Sequence, residues 1–498
     1  MSKPLFLAIV IGAGLALLLA RFLGWVPAVR ATGGDLDPTF GVAGKVTTAF
    51  VVRTNGRAAA VAAQADGKLV VAGSSQPADP AAADFVVARC NPDGSPDPAF
   101  GDGGRVVTDF AQGPNHAQAV AIQPDGRIVV AGDVALTQNG QNTAFALARY
   151  LPDGSLDATF GSGGRVTTDL DTGTDAVQAL VLQADGKIVA VGYTAVFGST
   201  NRDFALARYL PDGSLDASFG TGGLVTTTFT SLSDDLALAG GIQADGKLVA
   251  AGVTDIYSGG SRHYYFALVR YTPAGALDTG FGSGGQVTTD LPGSQLGPGA
   301  SALVIQADGS LVAGGTSDNG SNANFALARY RPDGSLDSSF GTAGWVTTGF
   351  NANTSESVQG LALQPDGKIV AAGVTYSPST QGDFALARYL PTGSLDSSFG
   401  SGGQVVTDFA GGGDGANATL VDASGRIVVA GVAYLPAPDG TLLWPAVARY
   451  LPGGALDSGF GGSGKVTMAA ASVSSGRAYA VTLAPDGHIV AAGTSVTA

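Results

Sequence analysis

The sequence predicts an all-β fold, a β-propeller of four-stranded antiparallel blades, on three observations. First, "LDxxFG" or a close variant begins at Leu36, Pro96, Leu156, Leu215, Leu277, Leu336, Leu395 and Leu456, at spacings of 59 to 62 residues. Second, a tight turn ahead of an apolar run recurs eight times in the same phase. It begins at Ala65, Pro124, Ala184, Ala244, Ala307, Pro365, Ala423 and Pro485. Third, each period holds four short strand-like runs and no sustained 3.6-residue periodicity. Four antiparallel strands in a unit of this length suit a propeller blade better than a solenoid coil, whose repeats are usually shorter.

The chain opens with Met1-Ser2-Lys3-Pro4, an apolar run from Leu5 to Ala20, and "RFLGWVPAVRA". A basic start, an apolar core and small residues at Val29 and Ala31 fit a bacterial secretory signal cut after Ala31. The apolar core is slightly long for a signal and short for a membrane span, so an uncleaved anchor is the alternative. The expected organisation is a signal or anchor over 1–31 and a single propeller over 32–498. Either form takes the repeats to the cell envelope, the cell surface or the medium, and touches a membrane only through that segment if it is uncleaved.

In one unit, "AVQALVLQ" (176–183) and "KIVAVG" (187–192) flank an Asp-Gly turn, a hairpin signal. "FALARYL" (204–210) and "LVTTTF" (224–229) complete it. These runs are strands a, b, c and d. Gly and β-branched residues undercut helix throughout. The stretches "FALARYLPDGSLDATFGSGG" and "ADGKIVAVG" resemble the delta-sixty repeat family of exported bacterial proteins, over nearly all of residues 34 to 495. The "PDGK" hairpin is also similar to those of WD-type propellers, without the Trp-Asp signature. The resemblance implies a propeller with no established activity, and therefore no catalytic residue.

The sequence offers eight runs each of types a, b and d, but seven clear copies of c. It begins near a d run (45–50) and stops just after a b run (488–493). Eight blades with an imperfect last one are expected, in preference to seven closed blades and a leftover hairpin. Residues 26–31 resemble a c strand, but a cut after Ala31 would remove them.

Composition narrows the function. Charged residues are 13%, mean hydropathy is +0.23 and there are 76 glycines, which suits buried strands joined by turns rather than disorder. The net charge of −14 becomes −17 without the first 31 residues, which argues against nucleic acid as a partner. All but one of the 40 acids are Asp, a turn former, so most of the charge is turn chemistry on a surface. Cys90, the single cysteine, stands where other units have Tyr150, Tyr209 and Tyr271, and reads as a packed strand residue.

Arg89, Arg149, Arg208, Arg270, Arg329, Arg388 and Arg449 each precede an Asp by eight residues (Asp97, Asp157, Asp216, Asp278, Asp337, Asp396, Asp457). A buried guanidinium needs such a partner, so the pairs are expected to pin the c–d connection. Phe160, Phe219 and Phe340 read as packing plugs. His116, His263 and His488 lack ligand-like spacing, and no G-x-S-x-G nucleophile motif occurs. "GFGGSGKV" from Gly459 fails as a phosphate loop because Val466 stands at the metal-binding position. No catalytic residue, metal ligand or cofactor is expected.

Recognition is expected where the units disagree. The a–b and c–d turns form one monotonous face; the b–c and d–a loops form the other and carry the irregular sequence. The b–c loops 193–202, 253–265 and 432–444 hold Tyr193, Phe197, Tyr257, Arg262, His263, Tyr264, Tyr434 and Trp444 as candidate binding residues. The reading is an exported non-catalytic binding or scaffold propeller, whose partner is unknown and would be a protein or glycan at the cell surface. The rival readings are a carbohydrate-acting enzyme, with Asp171, Asp175, Asp234 and Asp235 converging on the axis, and a purely structural surface module.

Overall fold

The computed structural model describes residues 55–497 apart from short stretches (77–82, 94, 111–112, 138–140, 200, 259–260, 292–298, 319–321, 352, 378–380, 410, 438–439 and 468–472), together with 10–12 and 45. The apolar runs form seven four-stranded antiparallel sheets in the order a-b-c-d, spanning 55–108, 115–168, 176–227, 235–289, 300–348, 355–407 and 415–467. These are blades 1 to 7. Strands b and c are buried nearly throughout, as in Phe85–Cys90 and Asp383–Tyr389, while d exposes its third residue. Val10–Gly12 pairs antiparallel with Ala179–Val181 on strand a of blade 3.

The expectation of eight blades is corrected to seven. The last a and b runs, Val473–Leu483 and Ile489–Thr497, form a two-stranded hairpin that packs against blade 7 on one side and blade 1 on the other. It bridges blade 1 at Gly56–Ser495. The described residues supply it with no c or d strand of its own. The candidate c strand at 26–31 and the d run at 45–50 lie outside them, Lys45 excepted.

Strand a carries a bulge at the same place in each of the seven blades, as between Val177 and Ala179. The bulge pushes a carbonyl against strand b, where a Cβ on Gly192 would lie 1.9 Å from the oxygen of Ala176. That contact explains why the b run ends in Gly. Gly192→Ala is expected to cost about 1–3 kcal/mol, read as a lower urea midpoint at unchanged m-value.

The blades are joined by one repeated device. Each strand-c Arg donates through Nε to its own blade's Asp at 2.8–2.9 Å, as expected from the sequence. Its Nη1 goes further and donates to a backbone carbonyl in the turn of the next blade: Arg89 to Pro152, Arg149 to Pro211, Arg208 to Pro273, and so on to Arg388 and Pro452. The guanidinium carbon lies 4.4–4.8 Å from the centroid of the Phe that follows the Asp. A glycine of the next blade's turn also packs on that ring. Gly213 sits on Phe160 with φ 85°, and a Cβ there would come within 2.8 Å of the ring and of the Gly161 nitrogen. A second joint lies deeper. The fully buried Tyr hydroxyls at the end of strand c bond to the last Thr of the preceding blade's strand d, as in Tyr209–Thr168 at 2.9 Å and Tyr330–Thr289 at 2.7 Å. Cys90 replaces this Tyr in blade 1; it is buried, and burial pushes its thiol up to about 11.

Candidate functional site

On the face of the b–c and d–a connections, blades 3 and 4 build one continuous surface. Strand b of blade 3 ends at Ala195, a tight turn follows (Ser199 N–H to Val196 C=O, 2.9 Å), and strand c starts at Arg202. Val196 and Phe197 stand at the turn, Phe197 with 60% of its surface exposed. Arg202 leans on the ring of Tyr193, 5.3 Å from its centroid, and makes a bidentate pair with Asp234 through Nε (2.8 Å) and Nη2 (2.6 Å). Asp234 precedes strand a of blade 4. Its N–H donates to Asp255 at 2.8 Å, and Asp255 also accepts from Arg262. The chain Tyr193–Arg202–Asp234–Asp255–Arg262 thus ties three connections from two blades into one rigid patch.

The expected b–c loop at 253–265 is largely strand. Leu248–Ser258 and Ser261–Tyr271 form one long hairpin, paired out to Ser258–Ser261. Its Val, Thr, Ile and Tyr content favours extension. Tyr257 lies opposite Arg262 with 62% exposure, while His263 and Tyr264 are half-buried. Leu232 in the d–a connection is 68% exposed. An open-sided cleft of about 310 Å³ beside Phe197 is lined by Gln141, Gly173, Thr174 and residues 195–199.

Of the expected binding residues, Tyr193, Phe197, Tyr257, Arg262, His263 and Tyr264 belong to blades 3 and 4. The other two lie in blade 7. There 427–437 and 440–450 form a second long hairpin in place of the expected loop. Trp444, opposite Ala433, is 7% exposed and is part of the packing rather than a displayed ring. The Tyr434 hydroxyl lies 3.2 Å from Arg477 of the C-terminal hairpin. The patch also includes Val196, Leu232, Arg202, Asp234 and Asp255. The lone Leu232 in the polar stretch "TSLSDD" is the signal that could have found it.

The acids proposed for an axial site are separately engaged. Asp175 is fully buried, accepting from the Leu170 N–H at 2.8 Å and from the Thr194 hydroxyl. Asp235 is likewise buried and accepts from the Phe229 N–H at 2.9 Å, while Asp234 faces Arg202. Glu356 and Asp414 hold the same position in blades 6 and 7, bonded to Thr375 and to the Phe409 N–H. Burial pushes Asp175 up to about 7 and Asp235 and Asp414 to about 6. Each clamps a d–a corner to its own blade. At the corner of blades 6 and 7, oxygens of Asp383, Asp408 and Asp414 lie within 4.8 Å of one another, and the neighbouring carboxylates help to raise Asp414.

The model of the family described as "Domain of unknown function (DUF5122) beta-propeller" matches residues 64–100, 123–160, 183–219, 243–281, 306–340, 364–399 and 423–460. The chain belongs to the DUF5122 β-propeller family. The seven matches run from the a–b turn through strand c to the Phe plug, so each takes in the Arg, Asp and Phe of the joint between blades together with the b–c connection, while Leu232 and Asp234 of the patch fall between two of them. They bear out the expected membership of a propeller repeat family, without the narrower delta-sixty designation. No curated protein matches the sequence. Among solved structures, this DUF5122 chain is similar to Sqt1 from Chaetomium thermophilum (14% identity, 89% of this chain and 97% of that one, TM-score 0.48). It is also similar to the β-propeller domain of the Trilobed protease from Pyrococcus furiosus (10%, 78% and 93%, 0.37) and to the polysaccharide lyase Uly1 (11%, 85% and 98%, 0.37).

Proposed function

We propose that this DUF5122 propeller is an exported, non-catalytic binding module of the cell envelope that engages a protein or glycan through the patch on blades 3 and 4. The observation that carries this reading is the exposure of Val196, Phe197, Leu232 and Tyr257 around a network whose charges are already paired with one another. Apolar and aromatic groups held by a rigid frame make contact area at low entropic cost. Their partner is recognised by ring stacking and apolar burial, with little ionic steering. The apolar N-terminal run supports export.

The test is a screen of the purified repeats against a glycan array and against surface proteins of the source cell. Phe197→Ser with Tyr257→Ser is expected to weaken any hit by about tenfold or more, as for removal of exposed aromatic anchors. The thermal midpoint should stay unchanged. Binding that survives this change but is lost on altering another face would move the site; no binding to either class would favour a structural module.

A further inference from the structure

The carbonyl that each strand-a bulge presses against the strand-b glycine belongs to the same position in every unit, which makes eight residues directly comparable. Blades 3 to 7 carry Ala176, Leu236, Gly299, Ser357 and Gly415 there, none of them charged. Blade 2 has His116, already engaged by Asp133 at 3.1 Å. Blade 1 and the C-terminal hairpin have Arg57 and Arg477, both exposed. The two arginines are neighbours. Gly56 and Gly476 pair with Ser495 from its two sides, so the residues that follow them flank Thr494 on one face of the sheet. Two strand spacings, about 10 Å, separate their backbones, a gap that two arginine side chains can span.

Their surroundings hold the guanidiniums without neutralising them. Arg57 lies over the ring of Tyr479, 4.9 Å from its centroid, and Arg477 Nη2 donates to the Tyr434 hydroxyl at 3.2 Å. The Thr494 hydroxyl accepts from the Arg477 N–H at 3.1 Å and keeps its own proton to donate. Among the described residues neither arginine has a carboxylate partner, whereas the strand-c arginines, Arg202 and Arg262 each have one. An aromatic support steadies a guanidinium and leaves donors of its planar fork open. We propose that Arg57, Arg477 and Thr494 form an oxyanion site at the seam between blade 1 and the C-terminal hairpin, whose ligand is a sulfate or phosphate group, free or carried as a monoester. Charge and donor count decide the class. One guanidinium fork satisfies a carboxylate, with its two oxygens and single charge; two forks and a hydroxyl match a dianion with three or more oxygens. None of these residues belongs to blades 3 and 4, so the site stands independently of the aromatic patch.

The test is calorimetric titration of the full chain with sodium sulfate at low ionic strength, where saturable binding is expected. Arg57→Gln and Arg477→Gln should each weaken it by about tenfold or more, the usual loss with a charged hydrogen-bonding group. Arg165→Gln removes an equally exposed charge from strand d of blade 2 and should change binding by less than about twofold. Acetate, a monoanion, should bind about tenfold or more weakly than sulfate. Glucose 6-sulfate separates the two sources. Binding at least as tight as that of sulfate assigns the site to a group carried on a ligand, and weaker binding assigns it to the free ion. Should Arg57→Gln fall short of the parent's thermal midpoint, Arg477→Gln alone decides, overturning the site if sulfate binding is unchanged. A purely structural role for the two arginines in docking the hairpin would leave the parent without saturable sulfate binding, which overturns the proposal. Equal losses in Arg165→Gln and Arg57→Gln, or acetate binding as tightly as sulfate, also overturn it.

Discussion

Arg208→Ala is expected to lower the unfolding free energy by about 3–5 kcal/mol, the usual cost of stranding one partner of a buried ion pair. The guanidinium is 4% exposed and meets Asp216 at 2.9 Å, the Ser218 hydroxyl at 3.2 Å, the Pro273 carbonyl of blade 4 and the face of Phe219. Removing it leaves Asp216 buried with Lys187, at 3.3 Å, as its remaining cation. Urea unfolding by intrinsic fluorescence measures the loss. A midpoint within error of the parent chain would show that the pair is not a joint. Burial alone would raise Asp216, yet hydrogen bonds from Ser218 and the charge of Arg208 hold it at about 2. A depressed pKa gives stability above the unfolded value, lost as pH falls through the folded one. The parent's resistance to acid between about pH 4 and pH 2 should shrink in the variant.

The d–a corner acids act in the opposite sense and in a different window. Asp175, Asp235 and Asp414 titrate higher in the folded chain than in the unfolded one, and burial also raises Glu356. Between pH 5 and pH 8 the folded state therefore holds more protons, and stability falls as pH rises through the folded values. The expected loss is on the order of 5 kcal/mol over that interval. Asp175→Asn keeps the acceptor for the Leu170 N–H and removes the ionisation, so it should flatten the profile by roughly half that amount. Thermal midpoints from pH 5 to pH 8 for both chains decide; parallel profiles would refute the assignment to Asp175.

The repeat made the frame legible before any coordinates. A fixed eight-residue offset exposes the Arg–Asp pair, because side chains announce themselves by type and spacing. The second bond of the same Arg was invisible, because its acceptor is a backbone carbonyl that any residue could supply. The Gly at the end of strand b was visible as a recurrence, but the bulge that requires it comes from pairing with strand a. The eighth a and b runs form strands as expected, yet two strands do not make a blade, and hence seven. At the candidate site, irregular sequence drew attention to the b–c connections. It did not reveal that 253–258, 261–265, 432–437 and 440–444 are extended strands, in which Trp444 is buried while Tyr257 faces solvent.

The Arg–carbonyl joint has a direction, since each donor on one blade finds its acceptor on the next in chain order. None of its acceptors is a side chain. One blade therefore cannot tell its proper successor from any other unit that presents a carbonyl and a glycine at the same place. Exchange between equivalent points of two units, at the cost or gain of one whole period, would leave this joint chemically the same. Blade number in such a ring is set by how far the sheets can fan around the axis, and the lineage can change it by recombination without inventing a new interface.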